Sequence, residues 1–189
     1  MFHDLDATLA KLIEREVEYP NLSVSFAVPN DQFPPSNLKL PAVHFFLYHL
    51  EENMELRRGE WIIEHQDNGS ASRRRPPVRV NCAYLVTVWP SESADEHELL
   101  GAVMKGLLRH RRLPADLLQG ELAGQEPPLR ASIIRESHLQ SLGEFWQAMG
   151  AKPKAALDYS VTISVDIAEP EDLGPVVSES VIKLQARTN

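Results

Sequence analysis

The chain has 189 residues, of which 43% are hydrophobic and 24% charged, a composition typical of a folded globular protein rather than a disordered one. Its length favours one domain with a sizeable core plus an arm over two full cores. Nineteen Lys and Arg against 27 Asp and Glu give a formal net charge of −8, which disfavours a nucleic-acid-binding protein because it removes the general attraction to phosphate.

The cellular compartment is indicated by the cysteine content and by the first residues. The single cysteine, Cys82, can form neither an intramolecular disulfide nor a multi-thiolate metal site. The first six residues include two acidic ones, Asp4 and Asp6, where a signal peptide needs a positive region, so we expect cytoplasmic synthesis and assembly. The apolar stretches are interrupted far short of the ~20 residues that span a bilayer, so we expect no direct membrane insertion.

The first fifty residues predict a helix followed by two strands. Apolar residues at helical spacing over 5–13 predict a helix that ends before Pro20, with Asp4 as a candidate cap. Alternation over 22–28 predicts a half-buried strand. After a proline-rich loop, residues 42–50 are apolar on both faces and predict a central strand.

The polar interval 51–77 predicts an excursion from the core. Asp67-Asn68-Gly69 is typical of a tight hairpin turn, so we expect a β-arm here. The arginines at 73–75 precede two prolines that hold the chain extended, a geometry suited to docking on a partner's carboxylates; a merely solvated loop is an equal alternative. The candidate interface residues of this interval are Arg57, Arg58, Trp61, Arg73, Arg74 and Arg75.

The middle of the chain predicts a long strand and a long helix. Strict alternation over 78–88 predicts a strand with one continuous buried face. Ser93 and Glu96 form a capping-box pattern before a helix. The apolar face of that helix is expected to consist of Leu99, Leu100, Val103, Met104, Leu107 and Leu108. The basic cluster at 109–112 complements the dipole at the end of the helix, although a partner-docking role stays open.

Four elements are predicted in the last third of the domain. Residues 114–120 predict a short helix and 129–134 a strand. A second capping box at Ser141 predicts a helix that stops at Gly150. The strictest alternation in the chain, over 157–167, predicts a strand with one wet face. These elements sum to an α+β fold, a single domain with a mixed or antiparallel twisted sheet flanked by helices.

The C-terminal residues 169–189 are predicted to form an arm outside a domain that covers 1–168. Their apolar residues are too many for a free terminus, and prolines separate them from the last core strand. We therefore expect an intermolecular arm from residue 174 onward, with an intramolecular edge strand as the alternative. The candidate interface residues of the arm are Val176, Val177, Val181, Ile182 and Leu184.

The sequence patterns predict no catalytic, cofactor-binding or metal-binding residues. His44 and His49 point to opposite faces of one strand, and His97 lacks the second histidine that a zinc-binding helix requires. Cys82 lies mid-strand on the apolar face, where a reactive thiolate is not expected. Glycine-rich phosphate loops and nucleophile-elbow motifs are also missing from the sequence, so a non-enzymatic protein is favoured.

An ordered set of short stretches resembles the cap, or tail-terminator, family of phage-tail-like contractile injection systems, including the antifeeding-prophage type. The stretches are FLY (46–48), ENMELR (52–57), RRRPPVRV (73–80), YLVTVW (84–89), EHELLG (96–101), LLQG (117–120), FWQAMG (145–150) and LDYSVT (157–162). The resemblance implies a tail-terminator-like fold with extended β-arms. It also implies a hexameric ring at the membrane-distal end of the particle, bound to the contractile sheath protein and the inner tube protein. Longer relatives carry a further C-terminal domain.

A physical mechanism follows from this resemblance. A stack of rings joined by exchanged strands leaves unpaired backbone groups on its last layer, and a terminator must cover that edge by β-augmentation. The segments 51–77 and 174–189 are the candidate arms. The main alternative function is a small-ligand or regulatory protein-binding module with a deep apolar pocket, and a hydrolase is a more distant one.

Overall fold

The computed structural model describes residues 1–28, 38–65, 70–133, 142–148, 150 and 152–175. Within these residues the helices are α1 (Phe2–Glu16), α2 (Glu96–Arg109) and α3 (Leu142–Ala148). The strands are β1 (Ser23–Ser25), β2 (Ala42–Glu52), β3 (Ile62–His65), β4 (Ser70–Arg74), β5 (Val78–Trp89), β6 (Arg130–Ile133), β7 (Leu157–Val165) and β8 (Glu171–Pro175).

The strands form two sheets. The larger has the order β1-β2-β5-β7-β6, in which the β1–β2 pair is parallel and the other pairs are antiparallel. The smaller is antiparallel and has the order β3-β4-β8. Helices and these two sheets together confirm the predicted α+β class with a mixed, helix-flanked sheet.

One face of the large sheet carries the main hydrophobic core, which α1 and α2 cover. The inward positions of β5 and β7 alternate as predicted, because side chains on a strand point to opposite faces in turn. The fully buried side chains of this core include Leu5, Leu9, Leu12, Phe45, Tyr84, Leu99, Leu107, Tyr159 and Val161. The apolar periodicities of α1, β5 and β7 therefore converge on one interior.

The opposite face of the sheet is only partly wet, whereas the pattern of β7 predicted a wet face. Thr162 and Ser164 are buried. Thr162 Oγ1 donates to Asn81 Oδ1 at 2.8 Å, and Arg79 Nη1 donates to Ser164 Oγ at 2.6 Å. Cross-strand hydrogen bonds thus satisfy the polar positions of β7, as buried polar groups require.

The same face of the large sheet is covered by α3 near Phe46 of β2. Trp146 is buried, and the Phe145 ring stacks on Phe46 with their centroids 5.9 Å apart. The register of β2 shifts between Leu47 and His49, next to Tyr48, whose hydroxyl donates to Asp158 Oδ1 at 2.7 Å. Helices therefore cover both faces of the large sheet.

Several predicted elements differ in extent from the structure. The strand predicted over 22–28 is reduced to β1, and β7 ends before Ile167, which is exposed. The helix predicted over 114–120 is two short 3-10 turns, Ala115–Leu117 and Gly120–Leu122. The turn predicted at 67–69 and the cap predicted at Ser141 lie outside the described residues.

The N-cap of α2 and the burial of its apolar face also differ from the prediction. Its N-cap is Asp95 rather than Ser93, because a 3-10 turn over Ser93–Asp95 precedes the helix. Met104 and Leu108, expected on the buried face, are 38% and 55% exposed. The helix therefore presents an apolar edge to solvent.

Asp4 joins α1 to the segment after α2 rather than capping the helix. The N-cap is Met1, and Asp4 is buried in the first turn. Its Oδ2 accepts from the backbone N–H of Glu121 at 3.4 Å, and the neighbouring Thr8 Oγ1 accepts from that of Gln119 at 3.1 Å. Two side chains of α1 thus hold the 119–121 backbone, which wraps over the helix.

The carboxyl group of Asp6 is expected to make the stability of the domain depend on pH. It accepts a hydrogen bond from the Tyr84 hydroxyl at 3.0 Å, and partial burial raises its pKa above the ordinary value of 3.8. A raised carboxyl pKa means that the folded state binds the proton more tightly than the unfolded state does. The free energy of unfolding therefore falls as the pH rises from the unfolded-state pKa of Asp6 through its folded-state pKa. We expect Asp6→Asn, which keeps an acceptor for Tyr84, to gain stability relative to wild type at pH 7 but not at pH 3. Urea unfolding of both proteins at the two pH values measures this; a difference independent of pH would contradict it.

Candidate assembly surface

The small sheet forms the arm predicted from the polar interval. Strands β3 and β4 pair as an antiparallel hairpin, with His65 opposite Ala71. Within the described residues β3 is the outer strand of its sheet, so one row of its backbone groups has no strand partner. Ile63 on this strand is 57% exposed. An edge strand with an exposed apolar side chain is a template for pairing with another chain.

Trp61 stands at the start of this hairpin between two arginines. The Arg73 guanidinium lies 4.5 Å from the centroid of its ring, and the Arg75 guanidinium lies 5.0 Å away. Cation–π contacts of this kind contribute about 0.5–1 kcal/mol each at exposed sites. The tryptophan, itself 38% exposed, therefore fixes the two arginines on one side of the arm.

Two of the three consecutive arginines also form ion pairs within the chain. Arg73 pairs with Glu171 of β8 at 2.8 Å, and Arg74 pairs with Glu64 of β3 at 3.0 Å. Arg74 reaches Asp166 as well, at 3.5 Å. The triplet therefore joins all three strands of the small sheet, and its proposed contact with a partner stays a prediction.

The remaining candidates are distributed around the arm. Arg57 pairs with Glu52 at 3.4 Å, and Arg58 lines a groove at the base of the hairpin. Gly174 and Pro175, at the start of the predicted C-terminal arm, lie in β8 and pair with β4 of the same chain. The candidates Val176, Val177, Val181, Ile182 and Leu184 lie outside the described residues.

The groove at the base of the hairpin has a volume of about 780 Å³. The hairpin base, Arg58 and the segment 121–127 form its walls, and Arg79 of β5 lies within it. Arg79 was not among the predicted interface residues. The only available signal was that it is the one charged residue in an otherwise uncharged strand.

A second groove, of about 910 Å³, lies beside the basic cluster at 109–112. Arg111 and Arg112 line it together with Glu51 and Glu55. Arg109 and His110 lie against α1, with Arg109 Nη1 and His110 Nε2 at 3.2 and 2.8 Å from the Glu16 carboxylate, and His110 also lines the groove. Both grooves are open and carry charged side chains, unlike the deep apolar pocket expected of a small-ligand module.

The reactive residue types of the core have environments that suppress reactivity. Burial raises the pKa of Cys82 to about 12, so its thiolate is scarce at neutral pH. Burial also lowers the pKa of His44, whose Nε2 lies 2.7 Å from the Ala27 carbonyl oxygen. Across the described part of the chain, no three His, Cys, Asp or Glu side chains are close enough to share a metal ion. Nor does any helix described here have the length and apolarity needed to cross a membrane.

Two solved structures share this fold. The sheath/tube terminator of PVC, an extracellular contractile injection system, in its extended state, superposes with a TM-score of 0.72 at 22% identity, over 100% of this chain and 64% of that one. The anti-feeding prophage cap, described as a tube-terminating cap, gives a TM-score of 0.71 at 25% identity, over 97% of this chain and 62% of that one. The chain thus spans less than two thirds of the length of either structure. No curated protein matched the sequence.

The sequence also matches a family model. Residues 4–179 match the Pvc16 N-terminal domain, which extends from the first turn of α1 to beyond β8. Both the core domain and the small sheet are included in this match, in agreement with the resemblance found in the short motifs. The chain therefore belongs to the Pvc16 N-terminal domain family.

Proposed function

We propose that this protein is a structural, non-enzymatic cap that terminates the inner tube and the sheath at the distal end of a contractile injection system. The observation that carries the proposal is the tail-terminator fold over the whole chain, shared with a sheath/tube terminator and a tube-terminating cap. The acidic chain and the two charged, open grooves are consistent with protein partners rather than nucleic acid.

The arms supply the binding mode in this proposal. Within the described residues the outer edge of β3 pairs with no other strand, and the sequence after β8 has high β propensity. Pairing that edge with a strand of the last tube or sheath layer would satisfy both sets of backbone groups and leave no equivalent edge above. The particle would then stop growing because nothing remains to template the next layer.

Particle length tests the capping role. Particles produced without this gene are expected to be longer and more variable than wild type, with no cap density at the distal end in electron micrographs. Supplying the gene in trans should restore a single length. An unchanged length distribution in its absence would refute the proposal.

We further propose that the cap is a hexameric ring. The mass of the isolated protein, or of the cap on purified particles, is expected to be six times the 21.3 kDa of one chain. Multi-angle light scattering measures the first, and the copy number from particle images measures the second. A monomer in solution that forms a ring on its template agrees with the proposal, whereas a monomer on the particle contradicts it.

A further inference from the structure

Arg79 is a buried cation without a counter-ion. The residue is 6% exposed, and the single hydrogen bond that its side chain forms within the described residues goes from Nη1 to Ser164 Oγ. Its buried Nε has no acceptor. Arginine is almost never this deeply buried unless it is paired, because removing an unpaired charge from water costs several kcal/mol.

The surroundings of Arg79 add positive charge instead of neutralising it. Burial lowers the pKa of its guanidinium, and the neighbouring charges of Arg130 and Arg58 lower it further. Three carboxylates line the groove: Asp166 pairs with Arg74, Glu121 pairs with the amino group of Met1, and Glu126 lies in the wall formed by 121–127. None of the described carboxylates forms an ion pair with Arg79.

The groove is a built site with fixed walls. On one side, Gln125 bonds the backbone of Ser164 through both atoms of its amide: Nε2 donates to the carbonyl oxygen at 2.8 Å, and Oε1 accepts from the N–H at 3.0 Å. Pro76 and Pro77 restrict the other side at the hairpin base. A carboxylate entering here would meet the guanidinium groups of Arg58, Arg79 and Arg130 without any rearrangement of the backbone.

We propose that this groove is the socket for a carboxylate side chain from a second copy of the chain. A copy that carries a net charge of −8 is an acidic partner for a positively charged groove. Closed rings are built from head-to-tail interfaces, in which a socket on one copy takes a different surface of the next. The inference rests on the proposed ring and names the contact that joins its neighbours.

The test compares Arg79→Met with Arg79→Lys and with the control Lys105→Met, at an exposed lysine of α2 that lines neither groove. Arg79→Met removes a buried charge that has no counter-ion but also removes the hydrogen-bond partner of Ser164 Oγ, so its melting temperature should stay within a few degrees of wild type. It should weaken self-association at least tenfold, whereas Arg79→Lys should retain more of it and Lys105→Met all of it. Sedimentation velocity over a concentration series in 50 mM and 500 mM NaCl, and cap copy number on particles, are the measurements. Wild-type association should weaken at the higher salt.

The outcomes separate this inference from capping itself. A ring of normal copy number formed by Arg79→Met, on particles of normal length, overturns the socket and leaves the terminator role intact. A fall of more than about 10 °C in the melting temperature of Arg79→Met also overturns it, because the arginine then stabilises its own chain by more than one hydrogen bond does. If wild-type protein neither associates in solution nor forms a ring on particles, the socket is refuted, while particle length still decides capping.

Discussion

Replacing Arg73, Arg74 and Arg75 together by Glu is expected to abolish capping while leaving the core domain folded. The changes turn the ion pairs with Glu171 and Glu64 into like-charge contacts and remove both cations from the Trp61 ring. The small sheet should therefore open, and the positive surface of the arm is reversed. Exposed ion pairs contribute only about 0–1 kcal/mol each, so the melting temperature should fall by a few degrees at most.

Co-purification with sheath and tube, together with particle length, measures the loss of capping. The charge-matched control replaces Lys39, Lys105 and Lys152, three exposed cations that line neither groove, by Glu. This control should cap normally if position and not net charge matters. Normal sheath recovery by the arm variant at physiological salt would show that the triplet serves only its own sheet.

Gly120→Ala is expected to destabilise the domain by about 2–4 kcal/mol, a fall in melting temperature of roughly 5–15 °C. Gly120 has φ +52°, a region that side chains rarely adopt, and a Cβ there would overlap the buried Asp4 carboxylate. The added methyl group would displace either Asp4 or the 119–121 backbone that it helps to hold. Thermal and urea unfolding measure the effect.

Gly124→Ala separates the two contributions. Gly124 has φ +75° but open space around the position of a Cβ. Its replacement should therefore show the backbone cost alone, about 1–2 kcal/mol. Equal losses for the two variants would mean that the contact with Asp4 contributes nothing.

Elements with long, regular apolar patterns could be predicted from the sequence, because burial against one core decides them. The helix α1 and the strands β2, β5 and β7 are of this kind, and short motifs also identified the family. The length of β1 and the end of β7 could not be predicted, since both depend on where a neighbouring strand stops. The pattern of β7 showed which side chains were polar but not that Asn81 and Arg79 of β5 would satisfy them.

The candidate site was only partly accessible to sequence reasoning. The polar interval with its turn signal correctly indicated a hairpin, and β3 and β4 confirm it. The ion pairs of the triplet could not be foreseen, because Glu171 is distant along the chain and approaches only through β8. The burial of Arg79 could not be predicted for a similar reason, because it depends on the 121–127 segment, which packs over the end of β7.

The direct passage from β4 into β5 through Pro76 and Pro77 has a mechanical consequence. A pull on the hairpin reaches β5 over a very short connection that the two prolines stiffen. Because β5 is hydrogen-bonded to β2 on one side and to β7 on the other, such a pull loads two ladders in shear at once. A tensile load on the arm would thus be shared by the centre of the sheet, and the arm should detach from a partner before the domain that carries it yields.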